Sequence, residues 1–327
     1  MFKRNSSDLE ARLSSGFNMD ALTPHLDSAG RKRYAELALC VKELICKANS
    51  ESIDDENLVI YTMGTECALS EMRNYMMAVL TANAVIEARN RLERAVTVAE
   101  LGVGSGLNAV AAFLADPDTK YIGWEKDAAS IDFANRLLQS YGFDGKAVIN
   151  KRNFLHADYS GIDADVVINE NLSPMLLEEP QLEASQAILL STHDKTVFVP
   201  GGVDVYLRLG YREGQTIYFG RIDFGKRYES PIILAAEIDS NRQNPWREKA
   251  DCILDLLNFD FKPISTDRCD VPMEGLYLRN PIKVSTPECH DEWLPHGRYT
   301  LILRFDFPPK NCCYEGMMDI MYPGKPQ

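Results

Sequence analysis

At 327 residues the chain can hold one large or two ordinary domains, and 45% hydrophobic with 25% charged residues is the composition of a soluble globular protein. No apolar run reaches the roughly 20 residues a membrane span needs, and the opening MFKRNSSDLEARL has no apolar signal core, so no membrane partner is expected. A net charge of −13 argues against a nucleic-acid partner held by a broad basic face and suits a cationic one.

Residues 1–93 read as a helical segment. RKRYAELALCVKELICKAN sets Tyr34, Leu37, Val41, Leu44 and Ile45 on one stripe at helical spacing. A second helix is expected from about Ser70, with Met72, Tyr75, Met76, Val79 and Leu80 recurring, Asn83 breaking the stripe and Ile86 resuming it. The acidic ANSESIDDEN reads as the linker between them. The 8 cysteines show no CxxC spacing and read as reduced thiols of a cytoplasmic protein, with no metal site.

Residues 94–207 change pattern. VTVAELGV, TKYIGWE, KAVINKRNF, DADVVINE, KTVFVP and GVDVYLRL read as strands, with the helical NAVAAFLA and AASIDFANRLLQSYG between the first of them. That alternation predicts an α/β fold, an open sheet of parallel strands. Residues 208–327, with QTIYFGRIDFG, PIILAAEID and RYTLILRFDF, read as a mainly antiparallel β domain for substrate or dimerisation.

The chemistry is concentrated in AELGVGSGLNAVAAFLA. A strand ends at Glu100, and Gly102, Gly104 and Gly106 turn the chain into a helix beginning near Leu107. Glycines suit a turn where backbone approaches a ligand, and the helix N-terminus offers free N–H groups. Nineteen residues after Gly106 comes Glu125, at the tip of YIGWE, where an acid can accept from both ribose hydroxyls. Asn108 and Lys126 flank these positions and are counted as cofactor-binding. Gly104-Ser-Gly106-Leu-Asn-Ala109 also satisfies a loose dinucleotide pattern, so NAD is a competing cofactor. Glu100 separates the two, because a carboxylate there repels a pyrophosphate and suits the ammonium of S-adenosylmethionine.

E-x-G-x-G-x-G with an acid closing the next strand resembles the class I methyltransferases, whose Rossmann-like sheet is then the expected fold. The resemblance implies that Asn153 and Phe154 flank the adenine. It narrows to the protein arginine methyltransferases at DVVINENLSPMLLEEPQ, where Glu170 ends the fourth strand and Glu179 follows nine residues later, with Glu178 competing for that role. ASQAILLSTHDKTVFVPGGVDVYL and SEMRNYMMAVL continue the likeness, and Arg73 in the latter is the implied grip on the cofactor carboxylate, on a helix that closes as a lid. Asn171 after the first acid, and His290 and Trp293 in CHDEW, take the acceptor-side positions; His193 in STHDK reads as a helix-end surface residue.

Physically, two carboxylates bind a guanidinium bidentately and orient one nitrogen toward the methyl group. Positioning supplies most of the rate, and a sulfonium donor needs no metal. The expected function is therefore an S-adenosylmethionine-dependent N-methyltransferase of arginine-methyltransferase type. Its acceptor is an arginine-containing peptide or protein, or a small guanidino or amino compound, and a homodimer is an admissible assembly. The alternatives are a small-molecule O-, N- or C-methyltransferase and a catalytically inactive methyltransferase fold serving as an interaction subunit.

Overall fold

The structure, a computed structural model, describes residues 19–51, 71–170, 181–209, 216–227, 232–238, 250–257, 283–285, 292–293, 297–307 and 312–322. Two compact units divide the chain: Met1–Glu170 with Leu190–Val199 and Phe307–Cys312, and Asn171–Leu189 with Pro200–Asp306 and Cys313–Gln327.

The first unit opens with helices α1 (Met19–Leu22), α2 (Ser28–Glu51) and α3 (Glu71–Leu92). On α2, Tyr34, Leu37, Val41 and Ile45 are buried as their spacing predicts, and the helix continues to Glu51, through the start of the expected linker. On α3 the pattern is broader than a stripe. Tyr75, Met77, Ala78, Val79, Leu80, Ala82, Ala84, Val85 and Ala88 are all buried, because the helix packs on α2, on the glycine-loop helix and on two strands of the sheet. Asn83 does not break that surface. It is fully buried, and its side-chain oxygen accepts from the His25 N–H at 3.2 Å.

Five strands follow: β1 (Thr97–Leu101), β2 (Lys120–Glu125), β3 (Ala147–Lys151), β4 (Ala164–Ile168) and β5 (Thr192–Val199). They form one parallel sheet in the order β3-β2-β1-β4-β5. Every residue of β1 and β4 is buried, as central parallel strands covered on both faces require. Helix α4 (Leu107–Ala115) joins β1 to β2 and is buried from Leu107 to Phe113, so its sequence is apolar and small almost throughout. Helix α5 (Ala128–Ser140) joins β2 to β3, starting at Asp127, whose side chain caps the Ser130 N–H at 2.7 Å. Its buried Phe133, Ala134, Leu137 and Leu138 make one apolar stripe.

His193 differs from its expected place at a helix end. It lies near the start of β5, half-buried, with its Nε2 2.9 Å from Asp165 Oδ1. Its Nδ1 accepts from the Lys195 N–H at 3.1 Å, which puts the ring proton on Nε2, facing Asp165. Arg94 binds the same carboxylate with both terminal nitrogens at 2.8 and 2.7 Å, and the Thr97 N–H donates at 2.8 Å. This fully buried aspartate ties β4 to the start of β1 and to β5.

In the second unit, α6 (Gln181–Ile188) precedes β6 (Gly202–Leu209), β7 (Thr216–Asp223), β8 (Ile232–Ile238), β9 (Ala250–Leu257), β10 (Lys283–Ser285), β11 (Glu292–Trp293), β12 (Gly297–Phe307) and β13 (Cys312–Tyr322). They make two four-stranded sheets, β13-β12-β6-β7 and β11-β10-β9-β8. GVDVYLRL therefore does not join the parallel sheet; it pairs antiparallel with β7 and β12. In sequence its apolar and polar residues alternate, whereas β4 carries the run Val166-Val167-Ile168. No helix among the described residues is long and apolar enough to cross a membrane.

Candidate cofactor and acceptor site

β1 and β4 lie side by side, but the chain leaves β1 toward β2 on one flank and leaves β4 toward β5 on the other. That reversal makes a crevice at the carboxyl ends of β1 and β4, the place where open α/β sheets bind ligands. Glu100 is registered opposite Ile168 of β4 and Gly123 of β2, so it sits at this crevice, and Glu170 follows two residues after Ile168.

The turn after β1 is built as its glycines suggest. Gly102 and Val103 donate to the Trp124 carbonyl at 3.0 and 3.2 Å, which folds the turn back on β2. Gly104 has φ +52°, and a side chain there would meet nothing within 4 Å: the backbone faces open space. Gly106 has φ +77°, and a Cβ there would stand 2.8 Å from Ala134 Cβ and 2.9 Å from its Cα. One glycine thus keeps a cradle open, and another lets α4 begin against α5. Glu125 closes the cradle, accepting from the Gly104 N–H on Oε2 at 3.0 Å and from the Asp127 N–H on Oε1 at 2.9 Å. Each oxygen retains a second lone pair for a hydroxyl.

Glu100 is only 2% exposed. Asn108 Nδ2 donates to its Oε1 at 2.8 Å, and the Tyr121 hydroxyl donates to its Oε2. Burial pushes its carboxyl up to about 8; the bonds from Tyr121 and Asn108 pull the other way, and the charges of Glu170 and Glu125 add to the rise. Burial first, then Glu100 and Glu125, hold the Tyr121 phenol well above its usual range. Glu125 and Glu170 thus set a negative potential at Glu100.

Asn108, expected to touch cofactor, spends its amide nitrogen on Glu100, and its oxygen accepts from the Thr81 hydroxyl at 3.2 Å. Lys126 is exposed beside Glu125. Asn153 caps the short 3-10 turn Phe154–His156 by accepting from the Leu155 N–H at 3.0 Å, and Phe154 is half-buried in that turn. Arg73 lies in the first turn of α3 and Trp293 in β11, with their side chains outside the description; Asn171, Glu178, Glu179 and His290 lie outside the described residues.

Sequence reasoning missed Tyr121, Gly123 and Thr81. The signal for the first two was spacing, since Tyr121 and Gly123 are two apart on a strand and share a face. A side chain at Gly123 would collide with Val103 and lie 3.3 Å from the Tyr121 oxygen, so the glycine gives the phenol its path to Glu100.

The sheet is Rossmann-like. No protein-family model and no curated protein sequence matches the chain. Among solved structures it is similar to the Trypanosoma brucei PRMT1 enzyme-prozyme heterotetrameric complex with AdoHcy, at 11% identity and TM-score 0.44, over 80% of this chain and 98% of that one. Arabidopsis thaliana protein arginine methyltransferase 10 overlaps at 10% identity and TM-score 0.43, over 76% and 95%. The sugar N-methyltransferase KedS8 from Streptoalloteichus sp ATCC 53650 overlaps at 11% and TM-score 0.29, over 75% and 73%. The fold assignment rests on strand order and register, not on these overlaps.

Proposed function

We propose that the chain is an S-adenosylmethionine-dependent N-methyltransferase of arginine-methyltransferase type, acting on a guanidino or amino nitrogen. The observation that carries the reading is the placement of Glu100, the open Gly104 cradle and Glu125 around one crevice, with Glu170 at the adjacent strand end. The donor set fits the ligand: a buried carboxylate for an ammonium, an acid with spare lone pairs for a ribose, and backbone free of side chains for close approach. Glu100 where a pyrophosphate would pass disfavours NAD.

When bound, S-adenosylmethionine supplies an electrophilic methyl group on a cationic sulfur. The protein's work is positioning. Glu100 receives the ammonium and Glu125 the ribose hydroxyls; Asn153 and Phe154 border the adenine, and Arg73 pairs the ligand carboxylate. Glu170, with Glu179 nine residues on, orients a cationic acceptor and holds its positive charge away from the attacking nitrogen. The acidic crevice favours such an acceptor over a neutral hydroxyl.

Labelled S-adenosylmethionine, offered with arginine peptides, free arginine and a cell extract, tests the reading. Transfer to a guanidino or amino nitrogen is expected. Glu170→Gln keeps size and removes charge, so kcat should fall by about 100-fold or more while cofactor Kd stays near wild type. Near wild-type turnover in Glu170→Gln would make that acid scaffolding.

A further inference from the structure

A polar chain crosses the interior of the first unit. Thr81 on α3 donates to Asn108 Oδ1 at 3.2 Å, Asn108 on α4 donates to Glu100 Oε1 at 2.8 Å, and Tyr121 on β2 donates to Glu100 Oε2. Thr81 is fully buried, Asn108 is 6% exposed and Tyr121 1%. Three elements thus converge on one carboxylate at the end of β1.

We propose that Asn108 and Tyr121 are positioning residues that hold Glu100 as the acceptor for the ammonium of the bound nucleoside, with Thr81 orienting Asn108. The proposal rests on the cofactor reading above.

The physical case begins with direction. An amide can present either its oxygen or its NH2 group to a carboxylate, and only the NH2 group bonds an ionised one. The Thr81 hydroxyl, bound to the amide oxygen, selects the productive face. A buried carboxylate without donors turns neutral, and a neutral acid is a poor partner for a cation. Glu125 and Glu170 push Glu100 the same way, toward its protonated form. Two donors oppose that push, and each Glu100 oxygen keeps a second lone pair for the ligand. Gly123 completes the arrangement by leaving space for the Tyr121 phenol.

The test uses the full chain and two probes. S-adenosylhomocysteine carries the ammonium; 5′-methylthioadenosine has the same adenosine and sulfur without the amino-acid arm. Asn108→Leu and Tyr121→Phe should each weaken S-adenosylhomocysteine about tenfold or more, the scale of a lost bond to a charged group, and leave methylthioadenosine within about twofold. Thr81→Val should shift the same ratio less, and Thr81→Ser should restore it. Equal losses for both probes, or none for either, overturn the positioning role. Wild-type protein that binds neither nucleoside overturns the cofactor reading as well, so the two failures are distinguishable.

Discussion

Gly104→Ala and Gly106→Ala separate ligand approach from packing. Both positions have positive φ, +52° and +77°, so an L-residue costs about 1 kcal/mol at each from backbone alone. At Gly104 the added methyl meets nothing within 4 Å, and the cost stops there. At Gly106 it stands 2.8 Å from Ala134 Cβ and 2.9 Å from Ala134 Cα; because one of those atoms is backbone, α4 or α5 must shift, adding about 1–3 kcal/mol. Gly106→Ala should therefore be about 2–4 kcal/mol less stable than wild type and Gly104→Ala about 1. Hydrogen exchange of the β1, α4 and β2 amides reads this within the first unit. Cofactor binding should rank the other way per unit of stability lost, since the Gly104 methyl occupies the cradle: at least about tenfold in S-adenosylhomocysteine Kd by calorimetry. Equal exchange protection in the two variants, or unchanged affinity in Gly104→Ala, would refute the division.

Glu125→Ala should weaken S-adenosylhomocysteine by about 1.5–3 kcal/mol, checked by calorimetry, because it removes a charged acceptor and frees the Gly104 N–H. Glu100, whose carboxyl is raised to about 8, favours its neutral form in the folded chain, so ligand-free stability should fall as pH rises from the ordinary 4.5 toward 8. Glu100→Gln should flatten that decline in thermal scans between pH 5 and 9; an unchanged slope would contradict it. Asp165 moves the opposite way. Burial raises its carboxyl, but the bonds from Arg94, the Thr97 N–H and His193 and the Arg94 charge outweigh it, and the net is depressed. Its stabilisation is present above the ordinary 3.8 and lost as pH falls through the lower folded value. Asp165→Asn should cost about 2 kcal/mol at neutral pH, moderated by the half-exposed Arg94, and lose less on acidification, as read by urea unfolding at pH 3 and 7.

The strand–glycine–helix unit, Glu125 at the next strand tip and five of the six strands expected in the α/β region were legible in the sequence because each is local. Periodicity marks an element, a glycine cluster marks a turn, and a short spacing fixes an acid at a strand end. The α2 stripe of Tyr34, Leu37, Val41 and Ile45 was legible for the same reason. What packs on what is not local. Asn83 looked like a break in α3 and is buried because α3 is enclosed on several sides; its oxygen accepts from the His25 N–H, while its Nδ2 has no hydrogen-bond partner among the described residues. His193 looked exposed and is held by Asp165, 28 residues away in sequence. Tyr121 looked like strand filler and Asn108 like a cofactor contact; the registration of β1 against β2, and the start of α4 just after the glycine turn, bring both to Glu100. The sequence determined which carboxylates the chain owns and where its turns fall; tertiary structure decided which partners surround each carboxylate, because desolvation and hydrogen bonding depend on neighbours that chain order does not reveal.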